Sequence, residues 1–413
     1  MSRIINFIIV LVEIGLYLIF RSEILYLFEK LFPNNNDLEV NIYSSLIIIF
    51  LGFLNIWIVN TILKIVRLNK PKNNYVKDKI ELMRNWIFST KAYWAPKRND
   101  EDKKVANTVE GLFMFIYKDE RLNSRERIIL NQAYNFIIDN ISEKGLPSLS
   151  IKLNTVHCTA FGLYIIQKLK SRNLITCTEE QEKKTYLLIN SLINSSNKFG
   201  WGFITERNVT DDEIRIPFTF WVLRALNLTE YYNHEIISNT LNSLISLRPN
   251  CMFGYNINGN PKVCSISLFL ILTHELRNSE LKKEVLNEIK LKPLLEFIIE
   301  ELLENNFIEF EEYDIKRYNL SGVEELSWNH ISVGYALEAL SIYYNSLSNI
   351  NKIRLNSIVK KIMKKNIHET GFFFNSQINI DFNNPHIYPT AYVVGGIYSY
   401  YNFCLKKSEN ENN

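Results

Sequence analysis

The stretch that decides the fold reads Gly200-Trp201-Gly202-Phe203, then a polar loop, then Pro217-Phe218-Thr219-Phe220-Trp221-Val222-Leu223-Arg224-Ala225-Leu226. The second part is apolar on almost every side. Pro217 stands where a helix is expected to begin, because its fixed φ suits the first turn and its missing N–H is not needed there. A helix that is apolar all round is buried among other elements. A glycine–aromatic turn that leads into a buried helix is therefore the unit to look for elsewhere in the chain.

Two kinds of helix alternate from residue 76 onward. Amphipathic helices with charged faces are predicted at residues 76–90, 124–141, 179–195, 235–247, 280–303 and 352–365. Almost uniformly apolar helices are predicted at residues 105–117, 156–169, 218–228, 263–276, 330–344 and 388–403. An amphipathic helix covers a core with one stripe, whereas a uniformly apolar helix lies inside it. Strict alternation of the two predicts two concentric rings, an all-α (α/α)6 toroid of six helical hairpins.

The glycine–aromatic turn recurs ahead of the apolar helices, at residues 145–147, 199–203, 253–255 and 371–374. Glycine permits the left-handed stop of the preceding helix, and the neighbouring side chain packs against the turn. The fifth unit, Phe307-Ile308-Glu309-Phe310, lacks the glycine. A linear α-solenoid also alternates helices, but its period of about 34 to 47 residues is mostly shorter than the spacing here.

The repeat resembles that of the prenyltransferase and squalene-cyclase (terpenoid-cyclase) toroid superfamily. Besides the stretch quoted first, the matching inner-helix segments are Cys158-Thr159-Ala160-Phe161-Gly162-Leu163, Tyr335-Ala336-Leu337-Glu338-Ala339-Leu340 and Pro389-Thr390-Ala391-Tyr392-Val393-Val394-Gly395-Gly396. The resemblance covers roughly residues 76 to 405. It implies a site in a cup formed by the loops that enter the inner helices, and a lipid or prenyl-type substrate.

The catalytic motifs of such rings are present only in fragments. Terpene cyclases of this kind protonate their substrate with an Asp-x-Asp-Asp motif, and the nearest match here is Thr210-Asp211-Asp212-Glu213. We predict Asp212 as the proton donor with Asp211 beside it, because a like charge raises the pKa of a carboxyl group. The alternative is a solvated surface loop whose carboxylates pair with Arg207 or Arg215 and contribute little.

Metal and cofactor sites are not expected. The prenyltransferase zinc set needs an Asp-x-Cys pair and a histidine, whereas Cys264 is preceded by Lys262 and the histidine position holds Pro389. Three of the six histidines, His157, His330 and His386, stand at or just before inner-helix starts. We predict His330 as a catalytic partner of Asp211 and Asp212. The residues predicted to bind substrate are Trp201, His157, Trp328, His386 and Tyr388.

Three function classes follow. The first is a protein that acts on or binds a lipid or prenyl-type substrate. The second is a non-catalytic toroid scaffold that binds a peptide or a partner protein. The third is a glycan-active (α/α)6 enzyme, since glycosidases use a pair of carboxylates. Its acids would come from the loop set Glu206, Asp211, Asp212, Glu311, Glu312, Asp314, Glu324, Glu325 and Asp381.

The N-terminal part of the chain predicts a membrane hairpin. Apolar runs at about residues 4–28 and 44–66 approach or exceed the roughly 20 residues that span a bilayer. A cleaved signal peptide is the alternative for the first run, but it lacks a small-residue cleavage site. We therefore expect a transmembrane hairpin over residues 1–72, the toroid over 73–407 and a disordered tail over 408–413.

Basic residues set the expected orientation. Lys64, Arg67, Lys70, Lys72, Lys77 and Lys79 follow the second run, which predicts that both termini and the toroid are cytoplasmic. Five cysteines without paired spacing agree with a reducing compartment. The net charge of +3 comes without a basic stripe, so nucleic acid is not an expected partner. The expected partners are the lipid membrane and an apolar small molecule or peptide.

Overall fold

A computed structural model describes residues 76, 78, 81, 105–117, 122–147, 154–205, 209–304, 310–319, 322–365 and 387–406. For residues 304, 310–319, 322–331, 364–365, 387–390 and 406 only the backbone is described. The chain divides into two units, Met1–Lys70 and Pro71–Asn413, and the described residues belong to the second. The predicted membrane hairpin, most of the first outer helix and the tail lie outside the described residues. Within the described ranges, no helix is both long and apolar enough to cross a membrane.

Helices of two kinds alternate, and we number them in chain order. The inner helices are α1 (Val105–Phe113), α3 (Val156–Ser171), α5 (Ile216–Asn227), α7 (Val263–Glu275), α10 (Ser332–Ile342) and α12 (Ile387–Tyr400). The outer helices are α2 (Ser124–Asp139), α4 (Glu179–Asn194), α6 (Glu235–Leu247), α8 (Ser279–Glu288), α9 (Leu291–Glu304) and α11 (Asn349–Lys365). A 3-10 turn, Met114–Tyr117, continues α1. The capping box predicted at Thr178 begins α4.

The inner helices close into a ring. Each packs against the next in the order α1, α3, α5, α7, α10 and α12, and α12 packs back against α1. The outer helices α2, α4, α6, α9 and α11 lie on the outside of α1, α3, α5, α7 and α10. A linear solenoid would leave its first and last inner helices apart. The predicted α/α toroid is therefore confirmed.

The fifth unit differs from the prediction in two ways. The outer helix expected at residues 280–303 is two helices, α8 and α9, because Pro293 would clash with the carbonyl of Ile289 in a continuous helix. An antiparallel hairpin of β1 (Phe310–Asn319) and β2 (Gly322–Ile331) occupies the region expected to be a loop. The all-α prediction missed this small sheet. The next inner helix consequently begins at Ser332 and not at His330.

The register of this hairpin gives a reason for the pairing. Lys316 stands opposite Glu325, and Arg317 stands opposite Glu324. Residues of opposite charge at facing positions favour an antiparallel pair. The periodicity of either segment alone does not reveal this relation, because it depends on the alignment of one strand with the other.

The glycine turns of two units are fastened to the following inner helix by the same hydrogen bond. The backbone N–H after the glycine donates to an inner-helix threonine, from Leu146 to Thr159 Oγ1 at 2.9 Å and from Trp201 to Thr219 Oγ1 at 3.0 Å. Gly145 and Gly200 have φ angles of 101° and 141°. Glycine adopts this region without strain. The motif read from the sequence is thus a contact between outer turn and inner helix.

Replacing Gly200 by alanine is expected to destabilise the ring. A Cβ atom there would lie 2.2 Å from Thr219 Oγ1, on a backbone that side chains rarely tolerate. We expect Gly200→Ala to lower the free energy of unfolding by about 2 kcal/mol or more. Urea unfolding of the full-length chain in mild detergent measures it. At Gly259 the nearest atom to a new Cβ would be 3.3 Å away. An equal decrease in the free energy of unfolding in Gly200→Ala and Gly259→Ala would contradict the prediction.

Candidate functional site

Side chains that face the inside of the ring lie in three levels. The aromatic level comprises Phe113, Phe161, Trp221, Tyr335 and Tyr392. The charged level comprises Tyr117, Tyr164, Lys168, Arg224, Glu275 and Glu338. Tyr117, Tyr164, Arg224 and Glu338 stand about one turn beyond the aromatic residue of their own helix. The entrance level lies about one turn before the aromatic level and comprises Glu110, His157 and Phe218. On α1, α3 and α5 the entrance level comes first along the helix, next to the loops, so it lies at the predicted cup.

The aromatic level fills the centre of the ring. Neighbouring ring centroids are 4.7 Å apart for Phe161 and Trp221, and 4.9 Å apart for Tyr335 and Tyr392. Contacts also cross the ring, since Tyr392 lies 5.4 Å from Phe161 and 6.3 Å from Trp221. Helices α5 and α12 stand opposite each other in the circle of six. Aromatic pairs at these separations are in favourable contact. The side chains therefore close the centre at this level.

The charged level is built on Arg224, whose side chain is fully buried. Its Nε donates to Glu275 Oε2 at 2.7 Å, and its Nη2 donates to the Tyr164 hydroxyl at 3.1 Å. The guanidinium carbon lies 4.3 Å from the Trp221 ring centroid and 4.7 Å from that of Tyr164. Lys168 Nζ is 3.3 Å from Glu275 Oε1. The guanidinium is thus held between two aromatic faces and one carboxylate.

The two carboxyl groups of this level differ in charge. Burial alone would raise the pKa of Glu275, but Arg224 and Lys168 outweigh it and lower the pKa to about 2. Glu338 Oε1 is 3.7 Å from Arg224 Nη2. Burial raises the pKa of Glu338 to about 7, against the opposing effect of Arg224. At neutral pH Glu275 is therefore ionised and pairs with Arg224. Glu338 is close to the midpoint of its titration.

The entrance level holds two titratable groups in their neutral forms. Glu110 is buried, and Asn107 Nδ2 donates to its Oε2 at 3.0 Å. Burial raises the pKa of Glu110 to about 8, with the Asn107 hydrogen bond acting in the opposite direction. His157 is half-buried, with ring centroids of Phe218 and Phe161 at 5.5 and 5.9 Å. Burial lowers the pKa of His157 to about 4. A protonated carboxyl and a neutral imidazole therefore face the cup.

The predicted acids lie at the surface. Asp211 and Asp212 are exposed members of the short 3-10 helix Asp211–Glu213. The Thr210 hydroxyl donates to Asp212 Oδ1, and Asn197 Nδ2 donates to Asp211 Oδ1 at 3.1 Å. Arg215 donates to the backbone carbonyl of Asp212 at 3.0 Å. The proton-donor role of Asp212 stays a prediction, for a side chain that faces solvent.

The other predicted site residues are dispersed. Trp201 is fully buried, and its Nε1 donates to the Leu192 carbonyl at 2.6 Å, so its ring belongs to the core beside α4. Trp328 and His330 stand in β2, opposite Tyr313 and Glu311. Tyr388 lies in the first turn of α12, and His386 lies outside the described residues. Of the three predicted histidines, the structure places His157 at the entrance level.

The residues that sequence reasoning missed share one signal. Glu110, Arg224, Glu275 and Glu338 are charged residues inside helices that are otherwise apolar. A charged residue in a helix predicted to be buried needs a partner or a shifted pKa. We found no gathering of three or more metal-ligating side chains in the part of the chain that the structure describes.

Comparison with known proteins gives the fold. No family model matches the sequence, and no curated protein matches it. Among solved structures, the type II terpene cyclase MstE from Scytonema, in complex with geranylgeranyl dihydroxybenzoate, is similar, with a TM-score of 0.53 and 11% identity. That match covers 81% of this chain and 99% of the cyclase.

Two sugar-active proteins are similar to the same extent. A sugar epimerase from a ruminal bacterium has a TM-score of 0.55 and 12% identity, covering 81% of this chain and 99% of its own. A β-1,3-1,4-glucanase from Paenibacillus sp. X4 has a TM-score of 0.53 and 10% identity, covering 81% and 94%. The resemblance to the terpenoid-cyclase toroids is confirmed at the level of the fold, which sugar-active proteins share.

Stability should depend on pH through Glu110. The pKa of this group is about 8 in the folded chain and 4.5 as the reference value, so its stabilising contribution is complete below about pH 4.5 and is lost as the pH rises through 8. Glu110→Gln should be more stable than the natural chain at pH 8.5, by roughly 2–4 kcal/mol, and equal to it near pH 4.5.

Urea unfolding of the full-length chain between pH 4.5 and 8.5 measures this difference. Glu143→Gln, which changes an exposed carboxylate, serves as the control and should follow the natural chain. If the difference in unfolding free energy between Glu110→Gln and the natural chain is the same at every pH, burial does not raise the pKa of Glu110 and the prediction is wrong.

Proposed function

We propose that the protein is a membrane-tethered toroid that binds a lipid chain of isoprenoid type in the cup above the aromatic level, and holds it without converting it. The observation that carries this proposal is the filled centre of the ring. A cyclase must fold a polyene inside a cavity, whereas Tyr392 here meets Phe161 and Trp221 across the middle. The cup is left as the place where a ligand meets the ring.

The walls of the cup support an apolar ligand. Phe203 is half-buried, with its ring centroid 6.0 Å from that of Phe218, and Tyr255 lies 6.2 Å from Phe218. His157 and Glu110 are uncharged at neutral pH for the reasons given above. Transfer of an apolar chain from water to such a surface is favourable by about 25 cal/mol per Å². A glycosidase needs two carboxyl groups. Among the described entrance-level residues Glu110 is the one residue with a carboxyl group, which favours an apolar ligand over a glycan.

A catalytic role is the second candidate, and Glu110 favours it. A carboxyl group with a pKa near 8 stays protonated at neutral pH and suits general acid catalysis on an oxygen of the ligand. The same pKa makes it a weaker acid than an ordinary carboxyl group. Protonation of an isolated alkene, which needs a strong acid, is for that reason the less suitable reaction.

Binding is tested with farnesol as the probe, by equilibrium dialysis against the full-length chain in mild detergent. We expect saturable binding, weakened about tenfold or more in Phe203→Asp, which places a charge on the apolar wall. Ile128→Asp makes the same kind of change on the outer helix α2, where Ile128 is 57% exposed, and should leave the affinity unchanged. Absence of saturable binding would overturn the proposal and favour a scaffold that binds a peptide or protein.

Conversion separates the two candidates. The same incubations are analysed by mass spectrometry for altered farnesol. Unchanged ligand supports the binding role. A product that is lost in Glu110→Gln but kept in Asp212→Asn identifies Glu110 as the acid. The reverse pattern, with a loss in Asp212→Asn and in His330→Ala, supports the residues predicted from the sequence motif.

In this proposal the ring lies on the cytoplasmic side of the membrane, because lysines follow the second of the two apolar runs. Lys183→Cys adds a thiol on α4, where the Lys183 side chain is 74% exposed. An impermeant maleimide should label it only after lysis of the cells. Asn35→Cys, in the predicted external loop, is the positive control and should react in intact cells. Labelling of Lys183→Cys before lysis would contradict the orientation.

A further inference from the structure

Arg215 precedes helix α5 at the loop end of the ring, and part of its guanidinium has no hydrogen-bond partner among the described residues. Its Nη1 donates to the backbone carbonyls of Asp212 and Ile214 at 3.0 and 3.2 Å. Its Nε is buried and unpaired, and its Nη2 donates to no described residue. More than nine in ten buried polar groups are paired, because an unpaired one is costly. The unpaired Nε therefore calls for a group that accepts from it.

Nε and Nη2 form one edge of the guanidinium plane. Their N–H groups point the same way, and their spacing matches the two oxygens of a carboxylate, which binds this edge as a fork. Arg248 shows such an edge engaged within the chain. Its Nε donates to the Ile257 carbonyl at 3.2 Å, and its Nη2 donates to the Gly259 carbonyl at 3.0 Å. In Arg215 no described residue accepts from the same edge.

The acidic residues beside Arg215 do not neutralise it at contact distance. The carboxylates of the 3-10 helix Asp211–Glu213 accept hydrogen bonds from Asn197 or Thr210 instead. No carboxylate of a described residue forms an ion pair with Arg215. Lys262 occupies the matching position before α7, which packs against α5, and adds a second positive charge at this end of the ring. The positive charge of Arg215 is thus available to an anionic group.

An apolar surface leads from Arg215 to the entrance level. The guanidinium carbon lies 5.6 Å from the Tyr255 ring centroid, and the Tyr255 centroid is 6.2 Å from that of Phe218. Phe218 in turn lies 5.5 Å from His157 and 6.0 Å from Phe203. These side chains form one continuous series of contacts. A ligand with a charged head and an apolar chain matches this series from end to end.

We infer that the ligand of the cup is an acidic amphiphile, whose carboxylate binds Nε and Nη2 of Arg215 side-on while its apolar chain lies on Phe218 and Phe203. This inference rests on the proposed lipid-binding function and specifies the head group of the ligand. A carboxylate matches the guanidinium edge in charge and in shape, because it carries one negative charge and two oxygens in one plane.

The test compares farnesoic acid with farnesol, which have the same chain and differ in the head group. Each is measured at neutral pH, where the acid is ionised, by equilibrium dialysis against the full-length chain in mild detergent. Uptake by the detergent alone is subtracted for each probe. Farnesoic acid should bind about tenfold or more tightly than farnesol, because hydrogen bonds between charged groups are the strong ones.

Variants of Arg215 test the assignment through the ratio of the two affinities. In Arg215→Gln the advantage of farnesoic acid should fall to about threefold or less, because the fork and its charge are lost. Arg215→Lys keeps the charge without the fork and should retain part of the advantage. Arg125→Gln removes the same charge from an exposed position on α2 and should leave the ratio unchanged. Because both probes are measured on one preparation, partial unfolding of a variant lowers both binding capacities and not the ratio.

The outcomes separate the two proposals. If neither probe binds saturably, the lipid-binding function itself fails. If farnesol binds as tightly as farnesoic acid, lipid binding stands and the carboxylate inference is overturned. If farnesoic acid keeps its full advantage in Arg215→Gln, the assignment of Arg215 is overturned. Farnesyl phosphate is the third probe, and tighter binding of this probe than of farnesoic acid would overturn the carboxylate in favour of a phosphate.

Discussion

The ion pair between Arg224 and Glu275 is the interaction on which the ring depends. A fully buried guanidinium is tolerable only when a carboxylate and further hydrogen bonds compensate for its lost hydration. Arg224 obtains these from Glu275 on α7 and Tyr164 on α3, and it lies against Trp221 of its own helix. Removing one partner of such a pair costs about 3–5 kcal/mol. The pair therefore fixes how far α3, α5 and α7 are shifted along one another.

This register of the helices sets which side chains meet inside the ring. With the charged level set, the aromatic side chains one turn away come into contact and close the centre, as Trp221 and Tyr335 show through a hydrogen bond of 3.3 Å. We therefore propose that a ligand binds on the loop side of the aromatic level. There burial without a counter-charge keeps Glu110 protonated and His157 neutral. Electrostatic conditions thus differ between the charged level, where Arg224 and Glu275 are paired, and the entrance level, where burial keeps Glu110 and His157 uncharged.

A shared ring does not imply a shared reaction. The similar structures include a terpene cyclase and two sugar-active proteins, at 10–12% identity and over 81% of this chain. Function on such a scaffold lies in the groups that face the ligand. In this chain the entrance level comprises Glu110, His157 and Phe218, and none of them belongs to the partial motif at Asp211 and Asp212. The lipid-binding proposal therefore rests on the entrance level and on the filled centre.

The alternation of helices and the glycine turns could be predicted from the sequence, because the apolar period and the conformational freedom of Gly145 and Gly200 are local properties. The cup was expected from the resemblance to the terpenoid-cyclase repeat, in which the loops entering the inner helices form it. The break at Pro293 and the hairpin Phe310–Ile331 were missed, since the first interrupts an apolar pattern that runs through it and the second depends on pairing between two segments. Which residues of different helices share a level could not be predicted, because it depends on how the helices pack against one another. Arg224 and Glu275 are far apart in sequence and meet through the closure of the ring, and the protonation of Glu110 follows from the burial that this closure produces.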